Sequence, residues 1–177
     1  MDLIATLLLA HLIADFPLQV DWLFRLKKRH WAGVLLHAAM HVAVTAMLLR
    51  DPLAQWPALL ALGAVHYTID TVKLRVTFRL QSLGFLLDQL AHVLSLLLVA
   101  AWCAGTSSAL PRSLLYPAVA YALLPTVLML VAMLTIDLTH SVSSVISASP
   151  ENTRRIILLS QWVGYFLVAA VIVFRFS

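Results

Sequence analysis

The stretch GFLLDQLAHVLSLLLVAAWCA, residues 84–104, holds a single charged residue in twenty-one. A helix of about 20 apolar residues covers the roughly 30 Å of a bilayer's hydrocarbon core, so the stretch predicts a transmembrane helix. Asp88 and His92 stand in it four residues apart, a spacing that puts both side chains on one helix face about a turn from each other. An aspartate at the centre of such a helix costs about 2.5–3.5 kcal/mol on insertion scales. A polar pair at this depth therefore needs a partner.

Outward from this stretch, five more apolar runs fall between breakers, at about 2–22, 32–50, 57–76, 113–140 and 155–175. Pro17 ends or kinks the first, Asp51 and Pro52 close the second, Pro57 opens the third, Pro111 precedes the fifth, and Pro150 and Glu151 separate the last two. With 62% hydrophobic residues, 11% charged and a mean hydropathy of +0.95, a soluble fold is excluded. The expected architecture is an all-α membrane protein of six transmembrane helices. It forms one polytopic domain over residues 1–177, with helices 1–4 bundled around a polar His/Asp site within residues 1–105 and two C-terminal helices within 113–175. Asp2 stands where a signal peptide carries Lys or Arg, so the first helix is expected to remain in the mature chain.

The basic residues set the orientation, because the cytoplasmic side retains Lys and Arg. Arg25, Lys27, Lys28, Arg29, Lys73, Arg75, Arg79, Arg154 and Arg155 fall on one side, and Arg50, Arg112 and Arg175 on the other. Nine against three places both termini outside and locates the protein, as a multi-pass chain, in a bacterial inner membrane. The formal charge of +4 is dispersed over these connections and makes no nucleic-acid-binding stripe. Residues 73–83 alternate basic and apolar side chains, as a segment lying among lipid head groups does. Cys103 is the only cysteine, which rules out a disulfide within the chain and a thiolate metal cluster.

Three more helices repeat the i,i+4 pattern: His11 with Asp15, His37 with His41, and His66 with Asp70. A weak internal repeat relates the first helix pair to the second at offsets of 55 and 51 residues. All four pairs fall in the cytoplasmic half of the bilayer once the orientation is fixed by Lys and Arg alone. His and Asp are ligands that zinc, manganese or iron accept without thiolates. Asp15, Asp70 and Asp88 sum to −3 with neutral histidines, so two divalent ions and one hydroxide give a neutral hydrolytic centre; one ion, with carboxylates that are protonated or only hydrogen-bonded to its ligands, also fits. Other candidates are Gln19, Lys73, Arg75 and Gln89 for substrate, and Asp137 with His140, which either join the site or end a helix in the cytoplasm.

The segments HLIADFPLQ (11–19), HAAMH (37–41), HYTIDTVKL (66–74) and FLLDQLAH (85–92) together resemble a bacterial family of small membrane proteins known as domain of unknown function 3307. The likeness covers about residues 5–95 and implies a fold and a polar cluster, with no reaction attached. A fainter likeness is to cation diffusion facilitators, from which this chain departs in bearing pairs on four helices and lacking a cytoplasmic metal-binding domain.

The leading expectation is an intramembrane metal-dependent hydrolase, with His11, Asp15, His37, His41, His66, Asp70, Asp88 and His92 as metal ligands and Asp88 or Asp15 as general base. The cofactor is then a divalent ion, zinc first, with manganese and iron as alternatives. The partners are the bilayer and a lipid or lipid-linked substrate from the cytoplasmic leaflet, with a homo-oligomer or larger membrane complex left open. The alternatives are a metal-ion or proton-coupled transporter and a structural or cofactor-binding subunit. The apolar outer halves of the second and fourth helices weigh against transport.

Overall fold

Pro17 has no main-chain N–H to give a continuing helix, and the first helix stops short of it. In the computed structural model, which describes residues 1–103, 106–142 and 173–174, that helix, α1, runs Asp2–Asp15. A separate α2 follows at Asp21–Arg29, then α3 at Trp31–Leu48, α4 at Trp56–Lys73 after a short 3-10 turn, α5 at Gln81–Trp102 and α6 at Arg112–Val142. The expected first span of 2–22 is thus corrected to a 14-residue helix and a distinct nine-residue one. The sixth expected span, 155–175, lies almost wholly outside the described residues.

Three described helices are long and apolar enough to cross a membrane: α3, α5, and α6 over Arg112–Leu138. These are three spans where six were expected. At 1.5 Å per residue α1 covers only about 21 Å, and α4 carries His66, Asp70 and Lys73 within its apolar sequence. Leu86, Leu90, Leu94 and Leu98 of α5, and Leu124, Leu128 and Leu138 of α6, lie exposed. Such a belt of large apolar side chains is what a lipid-facing surface presents.

Asp2, Thr6, His11 and Asp15 aside, helix α1 is apolar around its whole circumference, as a buried helix is. Nine of its fourteen residues are buried. It packs on α3, α5 and α6, while α3, α4, α5 and α6 pack consecutively and α2 lies on α3. Leu9, Leu12, Ile13 and Phe16 form the core with Leu48, Leu110 and Leu115.

The two ends of the bundle are fixed by contacts between distant segments. At one, Ala109 N donates to the main-chain oxygen of Leu48 (2.8 Å) and Arg50 N to that of Ser107 (3.1 Å), and Asp2 accepts from Arg112 Nε and Tyr116 OH. At the other lie the end of α1, all of α2, the starts of α3 and α5, and the end of α4. Asp137 of α6 reaches this second end and accepts from the main-chain N–H groups of Gln81 (3.0 Å) and Ser82 (2.8 Å) and from the Ser82 hydroxyl. It caps the first turn of α5, whose N–H groups have no partner within their own helix. Capping α5 is neither of the two roles the sequence offered for Asp137; the side chain of His140 lies outside the described ones.

Helix α2 has two faces. Leu23 and Lys27, four residues apart, are buried, while Trp22, Phe24, Arg25, Lys28 and Arg29 are exposed. Aromatic and basic residues on the outer face are what a helix lying in a membrane interface presents, while the inner side pairs Leu23 with a charged residue, Lys27. Only His30 separates α2 from α3, and a Cβ at Gly33 would stand 2.4 Å from the backbone nitrogen of Lys27 and 2.5 Å from the carbonyl carbon of Leu26. Glycine at 33 is what allows α2 to fold back this closely and aim Lys27 inward.

Candidate metal centre

Each i,i+4 pair was expected to face one point from its own helix, and the structure brings all four to one place. His11, His37, His41, His66 and His92 are 0–3% exposed, Asp70 is 2% and Asp88 is 7%. The five imidazoles touch: ring centroids are 3.5 Å apart for His41 and His66, 4.4 Å for His66 and His92, 4.7 Å for His37 and His41, and 4.9 Å for His11 and His92. Asp15, at the last turn of α1, is the partly exposed member, its side chain 12% accessible.

Two sets of donor atoms lie within 4.8 Å of one another: Asp15, His37, His41 and His66, and His66, Asp70 and His92. In the first, Oδ1 of Asp15 is 3.1 Å from His37 Nε2 and 2.9 Å from His41 Nε2, and those two nitrogens are 3.3 Å apart. Donors at 2.0–2.1 Å from a tetrahedral zinc stand about 3.3 Å from each other. The three atoms thus already form one face of a coordination polyhedron.

In the second set the hydrogen-bond pattern fixes a tautomer. His92 Nδ1 is 2.9 Å from the main-chain oxygen of Asp88. That oxygen can only accept, so Nδ1 carries the proton and a neutral His92 offers its Nε2 lone pair. Nε2 is buried and has no hydrogen-bond partner. An imidazole whose far nitrogen donates to a carbonyl is the usual arrangement of a metal-bound histidine. Both ring nitrogens of His11 and Nδ1 of His37 are also buried without a hydrogen bond. Unsatisfied buried polar atoms are costly, and a donor set left in this state fits a metal.

Lys27, read from the sequence as one of the cytoplasmic basic residues, is part of the site. Its side chain is 9% exposed, its Nζ lies 2.6 Å from Asp70 Oδ2, and it donates to Gln19 Oε1 at 3.1 Å. Gln19 in turn donates through Nε2 to the main-chain oxygen of Asp15. Lys73, placed on the substrate, donates to Asp88 Oδ2, with Gln89 Nε2 at 3.4 Å from the same oxygen. Arg75 is exposed beyond the end of α4, outside the cluster. The charge sum of −3 accordingly changes: Lys27 and Lys73 bring it to −1, which removes the reason for two metal ions. The sequence signal for Lys27 was its i,i+4 relation to Leu23 within DWLFRLKKR, hidden because the surrounding charges read as a loop.

A family model described as "Protein of unknown function (DUF3307)" matches residues 3–121. The chain belongs to this family. The matched segment takes in α1 to α5 and the first part of α6, hence every residue of the cluster together with Lys27, Lys73, Gln19 and Gln89. Asp137 lies beyond it. No curated protein and no solved structure matches the chain.

Proposed function

We propose that this member of the family is a multi-pass protein of a bacterial inner membrane that holds a divalent ion at the cluster and hydrolyses a lipid or lipid-linked substrate. The observation that carries the metal reading is the face formed by Asp15 Oδ1, His37 Nε2 and His41 Nε2, with His66 completing the set. One carboxylate and three imidazoles suit zinc first, and manganese or iron next. An ion held by three of these four donors would keep one position for a water and lower its pKa toward neutrality.

The protein's own groups divide the remaining work. Asp70 and Asp88 are held by Lys27 and Lys73, which leaves neither as a free base. His11 belongs to neither donor set, has both ring nitrogens unbonded and lies with Nε2 3.5 Å from Asp15 Oδ2. We assign to it, ahead of Asp88 or Asp15, the role of accepting the proton of a water.

The orientation follows from the exposed basic residues of the two ends. Arg25, Lys28, Arg29, Lys73, Arg75 and Arg79 lie at the α2 end and Arg50 and Arg112 at the Asp2 end. Six against two supports a cytoplasmic α2 end and an N-terminus outside. The partly exposed Asp15 then opens toward the cytoplasmic leaflet. Between the cluster and the Asp2 end, the Thr6 and Ser95 hydroxyls are turned onto the main chain of Asp2 and His92, and the cavity there is mostly apolar, with Thr45 and Gln55 set among leucines, Ala58, Val99 and Cys103. A site open to one face favours an enzyme over a transporter.

The test is metal content and hydrolysis on the purified full chain, with labelled phospholipids and polyprenyl-linked phosphates as substrates. Near-stoichiometric metal and hydrolysis are expected, both lost in His37→Ala and Asp15→Asn. A folded protein without metal overturns the reading, and metal uptake into proteoliposomes without hydrolysis replaces it by transport.

A further inference from the structure

We infer that the centre takes one divalent ion, because the ammonium of Lys27 fills the place a second would need; this rests on the metal reading above. The second donor set, His66, Asp70 and His92, would otherwise be a competent three-ligand site. The lone pair of His92 Nε2 points to no hydrogen-bond partner, and Asp70 is the set's one anionic donor. A carboxylate between two imidazoles is the chemistry that draws a cation.

The cation already there is Lys27. Three groups converge on Asp70 Oδ2: Lys27 Nζ at 2.6 Å, His66 Nε2 at 3.4 Å and His37 Nε2 at 3.7 Å. A metal ion on this oxygen would stand beside the ammonium, and two unshielded positive charges a few ångströms apart repel strongly where water is excluded. Lys27 is held in place by three features of the fold. Gln19 Oε1 accepts the hydrogen bond of its ammonium, Leu23 anchors α2 one turn earlier at 0% exposure, and the close approach at Gly33 fixes the backbone of Lys27 itself.

His66 is the only residue shared by the two sets, so an ion bound with Asp15, His37 and His41 also draws a ligand away from the second position. The charges agree. Three carboxylates and two lysines sum to −1; one divalent ion gives +1, which a single anion neutralises, whereas two would leave +3 inside the bundle.

The inference is tested by equilibrating the full chain in detergent with excess zinc, removing unbound zinc and counting the metal by mass spectrometry. Wild type is expected to hold one zinc per chain, Lys27→Met two, and Lys27→Met/Asp70→Asn one. Two zincs in wild type, or one in folded Lys27→Met, overturns the inference while leaving the metal centre standing; none in wild type overturns both. If Lys27→Met yields no folded protein, wild type and the double variant decide, with one zinc in each supporting the assignment and two in either overturning it.

Discussion

Removing either partner of the Lys27–Asp70 pair tests the least expected feature of the site. The side chains are 9% and 3% exposed and the charged atoms 2.6 Å apart. With an effective dielectric near 20 the gross attraction is about 6 kcal/mol. Desolvation of two buried charges offsets most of it, so an intact pair is worth little more than a well-packed apolar one. Breaking it is different, because the survivor stays buried without its counter-charge. Lys27→Met and Asp70→Asn should each cost about 3–5 kcal/mol, whereas the double variant should fall within about 1–2 kcal/mol of wild type. At roughly 2–4 °C per kcal/mol for a chain of this size, each single variant should melt about 6–20 °C lower. The assay is thermal unfolding of chelator-treated protein in detergent, read as a double-mutant cycle. Single variants that melt within 2 °C of wild type, or a double variant whose loss is the sum of the two, would refute the pairing.

Two other predictions follow from contacts between distant segments. Asp137→Ala removes the acceptor for the first-turn N–H groups of α5 and should cost about 1–3 kcal/mol; a variant melting as wild type does would show that Ser82 and solvent satisfy that turn unaided. Reporter enzymes fused after Lys28 and after Leu53 should give cytoplasmic and periplasmic signals respectively, and the opposite pattern would invert the orientation proposed for the cluster.

Much of this architecture was legible because depth and spacing are one-dimensional. The pair Asp88 and His92 could be placed on one helix face from the sequence, and the helix around them, Gln81–Trp102, begins three residues before its expected start and ends two before its expected end. What escaped was anything decided by packing between helices. The run from Asp2 to Trp22 is apolar enough to read as one span, and although Pro17 marked a break in it, only the three-dimensional arrangement makes α1 the central helix. Lys27 escaped for the same reason: charge counting treats every basic residue outside an apolar run as solvated, whereas α2 turns one of its charges inward. Asp137 lay in a polar helix end whose partner, the start of α5, is 55 residues away in the chain.

The shortness of α1 also accounts for where the site sits. Its fourteen residues leave about 9 Å of a 30 Å hydrocarbon layer uncrossed. His37 lies six residues into α3, which starts at Trp31, and so stands about 9 Å below the start of that helix. The two estimates coincide because Asp15, on the last turn of α1, meets His37 within hydrogen-bonding distance. Backbone that leaves a helix at this depth is tolerated only where protein covers it or a polar cavity receives it. Phe16 and Pro17 are buried there, and α2 occupies the remaining space up to the interface with Lys27 pointing down. A first helix continued past Asp15 would leave no room for that ammonium. The proline that breaks the first apolar run is therefore the residue that makes room beside the donor atoms for their internal counter-charge.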